Sequence, residues 1–148
     1  MREARKVIDR IEKTLQDAVL SVLRQEFNQS PTQWWFNGVP QKVRKRVDDK
    51  INESDGQAGE REQNFELIHY RDIITANWNL FEDLLAQGKG SKDKRTSWIY
   101  EINVMRNSVM HPSRREYLSD EKLNRLKELD SWLQNSASGE SDQNVTRG

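Results

Sequence analysis

Apolar residues in this chain recur at intervals of three and four. In the first segment they stand at Ala4, Ile8, Ile11, Leu15, Ala18 and Val22, with Val19 and Leu23 beside them. That is the stripe one face of an α-helix presents to a core. The spacing predicts a helix from Arg2 to Glu26, whose narrow seam either packs within the domain or pairs with another copy as a short coiled coil. The period returns at Val39, Val43, Val47 and Ile51, around Pro40, a residue suited to opening a helix. From Phe65 through Ile73, Ile74, Trp78 and Phe81 to Leu85 it predicts the strongest helix, at the centre of the core. Trp98, Ile99, Ile102, Met105 and Val109 mark another, with Ser91 or Asp93 as its cap. Leu123, Leu126, Leu129, Trp132 and Leu133 mark the last, capped by Ser119, with Asp120 and Glu121 complementing its dipole. No stretch of useful length alternates apolar with polar residues, so the expected class is all-α, a bundle of about five helices.

Between these segments lie distinct connections. NQSPTQWWFNGVP, with two prolines and an aromatic cluster, reads as an ordered loop, whereas ESDGQAGEREQN reads as a mobile one. GKGSKDKR is flexible and locally basic, and NSASGESDQNVTRG holds one core former, Val145. The organisation that follows is an amphipathic helix over 1–30, a domain core over 31–134 that packs with it as one unit, and a disordered tail over 135–148.

Composition narrows the chemistry. At 148 residues the chain supports one real core. Lysine plus arginine equals aspartate plus glutamate at 24 each, so any site for a polyanion has to be local. The absence of cysteine excludes a disulfide scaffold, a thiolate nucleophile and Cys-ligated metal, and fits a reducing, cytoplasmic setting. MREARKVIDRIEKTLQ contains no continuous apolar run, so neither a secretory signal nor a membrane partner is expected.

One stretch concentrates chemistry: EINVMRNSVMHPS, residues 101–113. Arg106 is followed by Asn107, and His111, one of two histidines, stands directly before Pro112. A capped helix end is the plain reading. Other catalytic arrangements are missing: there is no G-x-S-x-G elbow, GKGSK at 88–92 has the wrong spacing for a phosphate loop, and too few histidines exist for a zinc cage. No metal or cofactor is expected. Arginine with histidine suits metal-independent RNA cleavage, in which a histidine shuttles protons for 2′-hydroxyl attack and an arginine fork holds the phosphoryl oxygens. Asn107 could orient either group. On a straight helix a five-residue separation sets two side chains about 140° apart. They converge only through a bend, which Pro112 suggests, or with help from a second subunit.

RNSVMH resembles the R-x4-6-H signature of the HEPN superfamily, in which asparagine commonly follows the arginine. WWFNGVPQKVRKRV, HYRDIITANWNLFEDLL and KDKRTSWIYEINVMRNSVMHP together resemble a HEPN subgroup found beside PIN-type nuclease domains in RNA surveillance and in bacterial defence proteins. The likeness spans about residues 31–134. It implies a helical bundle that dimerises so that two such motifs face one cleft. It also implies an endoribonuclease leaving a 2′,3′-cyclic phosphate and a 5′-hydroxyl, with Arg106 on the scissile phosphate, His111 as general acid or base, and Asn107 in support. Other members serve only as dimerisation or RNA-binding modules. A toxin branch paired with antitoxins extends the motif to R-x4-H-x-Y. Ser113 stands where that tyrosine belongs, so the chain departs from the pattern on which that mode of regulation rests; a regulatory or antitoxin-like protein or a fused domain stays open as a partner on other grounds.

The remaining candidates are less specific. Lys42, Arg44, Lys45 and Arg46, and Lys89, Lys92, Lys94 and Arg95, are the candidate track for an RNA backbone, or simply solvated faces. His69 and Asp72 are expected to be structural. Trp78, Trp98 and Trp132 fit the core by their spacing, whereas Trp34 and Trp35 either pack or stack on bases.

Overall fold

A computed structural model describes residues 2–110 and 118–138. The helices are α1 (Arg2–Glu26), α2 (Gln41–Glu53), α3 (Leu67–Ala76), α4 (Trp78–Leu85), α5 (Lys92–Arg95), α6 (Ser97–Met110) and α7 (Asp120–Ser138). A π-helical turn at Trp34–Gly38 and a 3-10 turn at Arg61–Asn64 complete the described elements. None of the described residues lies in a strand, so the protein is all-α, with seven α-helices among the described residues where about five were expected in the chain.

The first helix has the predicted bounds, and its stripe settles where the core lies. Ala4, Ile8, Ile11, Leu15, Val19 and Leu23 are all fully buried. Helix α1 lies along α7 and also touches α3, α6 and the π-helical turn. Its seam is therefore consumed inside the domain, and α1 is the hub, rather than the segment from 65 to 85. Polar bonds fix its register against α7. Arg10 Nη2 donates to Asp130 Oδ2 at 2.6 Å, Gln134 Nε2 donates to Asp130 Oδ1 at 3.0 Å, and Thr14 Oγ1 donates to Gln134 Oε1 at 3.0 Å. Asp130 is only 7% exposed, so this set of partners is what makes its burial tolerable.

The expected long helix over 65–85 is two helices. At Asn77 the backbone leaves helical geometry (φ −119°, ψ 48°). The Asn77 side-chain amide donates to Ile73 O at 2.9 Å and to Gly38 O at 2.7 Å, so a local bond and a distant one hold the break open. A similar interruption at Thr96 divides α5 from α6. Its fully buried hydroxyl donates back to Lys92 O at 2.8 Å. Ser91, not Asp93, caps α5 by accepting from Lys94 N–H at 3.1 Å, and Ser119 caps α7 by accepting from Lys122 N–H at 3.2 Å.

Two connections are more ordered than their composition suggests. In the segment read as a mobile loop, Asn64 is buried and its amide donates to Ala58 O and Glu60 O. Glu60 and Gln63 close a capping box there, and Glu62 pairs with Arg24 of α1 at 2.7 Å. At the other end, α7 runs to Ser138, four residues into the expected tail. Ser136 donates its hydroxyl to Leu84 O and Ala137 packs on the core. Residues 139–148 lie outside the described residues.

Candidate functional site

Helix α6 turns Ile102 and Met105 into the core. Asn103, Arg106 and Asn107, at i, i+3 and i+4, consequently share one flank of it. That flank faces the entry to α3 and the side of α1, and together they enclose a polar cleft of about 380 Å³. Lys50 of α2 and Gln63 of the 3-10 turn close its rim, with Glu12 and Glu66 adding carboxylates and Phe65 an apolar wall.

Arg106 is engaged in this cleft. Its Nε donates to Glu12 Oε1 at 2.7 Å, and the two side chains are 41% and 34% exposed. Pairs this open contribute on the order of 0–1 kcal/mol, so an anion of higher charge can displace the carboxylate. With Lys50 and Arg106 against Glu12 and Glu66, the lining is charge-balanced until that happens. Asn107 is exposed on the same flank. His111, Pro112 and Ser113 lie outside the described residues, and so does the bend expected at Pro112.

The second histidine has a structural place. His69 is 6% exposed, and its Nδ1 accepts from Glu66 N–H at 3.0 Å, closing a reciprocal capping box at the start of α3. Burial lowers its pKa below the ordinary value. Glu66 and Asp72 oppose that shift, and the charges of Lys50 and Arg46 add to it. Asp72 neither caps α3 nor reaches Arg106; it pairs with Lys42 at 3.5 Å.

The two basic segments occupy different places. On α2, Lys42 is paired with Asp72 and Lys45 with Asp49, Arg44 Nε donates to Val39 O at 3.1 Å, and Arg46 is exposed. This helix reaches the cleft through Lys50. Lys89, Lys92 and Lys94 are exposed near the start of α6, where Arg95 pairs with Glu82 at 2.9 Å and lies over Trp78. Arg106 lies nine residues, or about 14 Å, further along α6. The cleft is thus lined by Lys50 of α2 but by none of Lys42, Arg44, Lys45 and Arg46, and the 89–95 group lies beyond the opposite end of α6.

Of the lining residues, Asn103 was readable from its i, i+3 relation to Arg106. Glu12 was not: it stands 94 positions away in a helix whose own pattern explains only its apolar face. No group of three or more histidine, aspartate or glutamate side chains among the described residues is arranged to hold a metal, and no described helix is long and apolar enough to cross a membrane. Comparisons with models of known protein families, with curated proteins and with solved structures return no match.

Proposed function

We propose that this chain is a HEPN-type, metal-independent endoribonuclease that acts on RNA as a homodimer, in host defence or RNA processing. The observation that carries this reading is the polar cleft in an all-α domain where Arg106 and Asn107 stand beside Lys50, Asn103 and Gln63. In the proposed reaction the RNA 2′-oxygen bonds to phosphorus as its proton passes to a base, and the 5′-oxygen leaves with a proton from an acid. His111 serves in these transfers, Arg106 exchanges Glu12 for the phosphoryl oxygens, and Asn107 orients the group it reaches. The products are a 2′,3′-cyclic phosphate and a 5′-hydroxyl. Tyr100 and Val104, 58% and 48% exposed and one turn apart on α6, support self-association on the neighbouring face.

The Glu12–Arg106 pair favours a second reading, a catalytically silent module that dimerises or holds RNA for a partner domain. Single-stranded RNA incubated with the protein in EDTA separates the two. Cleavage to cyclic-phosphate ends that disappears in Arg106→Ala and in His111→Ala is the expected result. Intact RNA with binding retained overturns the nuclease reading.

A further inference from the structure

The π-helical turn sorts three adjacent aromatic residues into two environments. Trp34 and Trp35 are 7% and 1% exposed, whereas Phe36 is 53% exposed. Its ring is not left bare: the Arg61 guanidinium lies 5.5 Å from its centroid and that of Arg44 lies 5.7 Å away. Arg61 also lies 4.8 Å over Trp35. Arg10, Arg24, Arg71, Arg95, Arg106 and Arg125 each pair with a carboxylate. Arg44 and Arg61, both partly exposed, make no ion pair with a carboxylate among the described residues, and aromatic rings are their neighbours instead.

This cluster is rigid. A Cβ at Gly38 would stand 2.9 Å from Leu23 Cδ2, so the turn is seated directly on α1. The Asn77 amide holds the Gly38 carbonyl from the other side. Single-turn π segments occur frequently at functional sites. Here the turn presents a planar ring, beside which α2 sets the Arg44 guanidinium and the 3-10 turn that of Arg61. Flat apolar faces alternating with positive charge match a ligand of flat bases joined by phosphates. The cluster is also joined to the cleft. Arg61 and Gln63 share one 3-10 turn, and Phe65, which lines the cleft, has its ring 6.0 Å from Trp35.

We infer that Phe36, Arg44 and Arg61 form a stacking platform for a single-stranded polynucleotide, separate from the Arg106 cleft and leading into it. That the natural ligand is RNA rests on the proposed function; the platform itself does not. Bases stack on Phe36 and on the guanidinium planes, and the two charges take adjoining phosphates.

Fluorescence anisotropy of a labelled 2′-O-methyl oligouridylate tests this, because a blocked 2′-oxygen separates binding from cleavage. Phe36→Ala is expected to weaken binding by about tenfold, the loss of one stacked base. Phe36→Tyr should retain it, and both variants should keep the native circular dichroism. Arg44→Gln and Arg61→Gln should each lower the slope of log affinity against log salt by about 0.7. A duplex of the same length should be indifferent to Phe36→Ala. Failure of the native chain to bind, unchanged affinity in Phe36→Ala, or an equal loss for the duplex overturns the platform. Phe36-dependent binding without cleavage of ordinary RNA sinks the nuclease alone; cleavage with Phe36-independent binding sinks the platform alone.

Discussion

Two arginine sites in this molecule differ in what satisfies the guanidinium. In the cleft, Arg106 faces Glu12 at 2.7 Å and the lining is electrically balanced. At the π-helical turn, Arg44 and Arg61 face aromatic rings and a backbone carbonyl, which hold a cation without cancelling it. The first site requires an exchange before it can bind phosphate. The second attracts phosphate as it stands, so on this reading RNA is gathered at the platform and processed at the cleft.

The largest test of the contrast separates neighbours within the turn. Trp35→Ala removes a side chain that is 1% exposed and should cost about 3–5 kcal/mol in urea denaturation. Phe36→Ala should cost less than about 1 kcal/mol. Similar costs for both would mean that Phe36 is a packing residue. Next comes Asn77→Ala, which leaves the Gly38 carbonyl without its bond and should cost about 1–3 kcal/mol. It should also loosen the platform, read as weaker oligouridylate binding; full affinity would show that the clamp is irrelevant to it.

Glu12→Gln addresses the cleft directly. Removing the competing charge should strengthen RNA binding by at most about fivefold, the equivalent of the roughly 1 kcal/mol that so exposed a pair is worth. Weaker binding instead would make Glu12 a support for Arg106 rather than its competitor. The smallest effect concerns pH. Because burial lowers the His69 pKa, the unfolded chain takes up a proton first. Stability should be full above pH 6.5, decline as pH falls below it, and level off once the folded chain protonates. His69→Gln should flatten that part of the stability profile without altering the platform.

What was legible in the sequence was local. The three-and-four spacing marks α1 from Arg2 to Glu26, and Ser119 announces the start of α7 because its cap bond closes within three residues, whereas Ser91, expected to cap the helix of Trp98 to Val109, caps the short α5 instead. Trp98 fell in the core as its spacing required. Asn77 misled because it sits inside an unbroken apolar period, and one of the two bonds that hold the break open goes to the Gly38 carbonyl, 39 positions away. Segment 54–64 misled because polar composition resembles disorder, yet its amides and carboxylates find partners in one another and in α1.

The sequence by itself determined the all-α class, the buried face of each major helix, and the presence of Arg106 and Asn107 at the end of one of them. Those properties depend on residues one or two turns apart, and periodicity records them. Tertiary structure alone decided that α1 is the hub, that Glu12 meets Arg106, and that Phe36 is exposed near two guanidiniums while Trp34 and Trp35 are buried. Each depends on groups brought together by packing from distant parts of the chain, and no local pattern encodes which of many possible partners a side chain will meet.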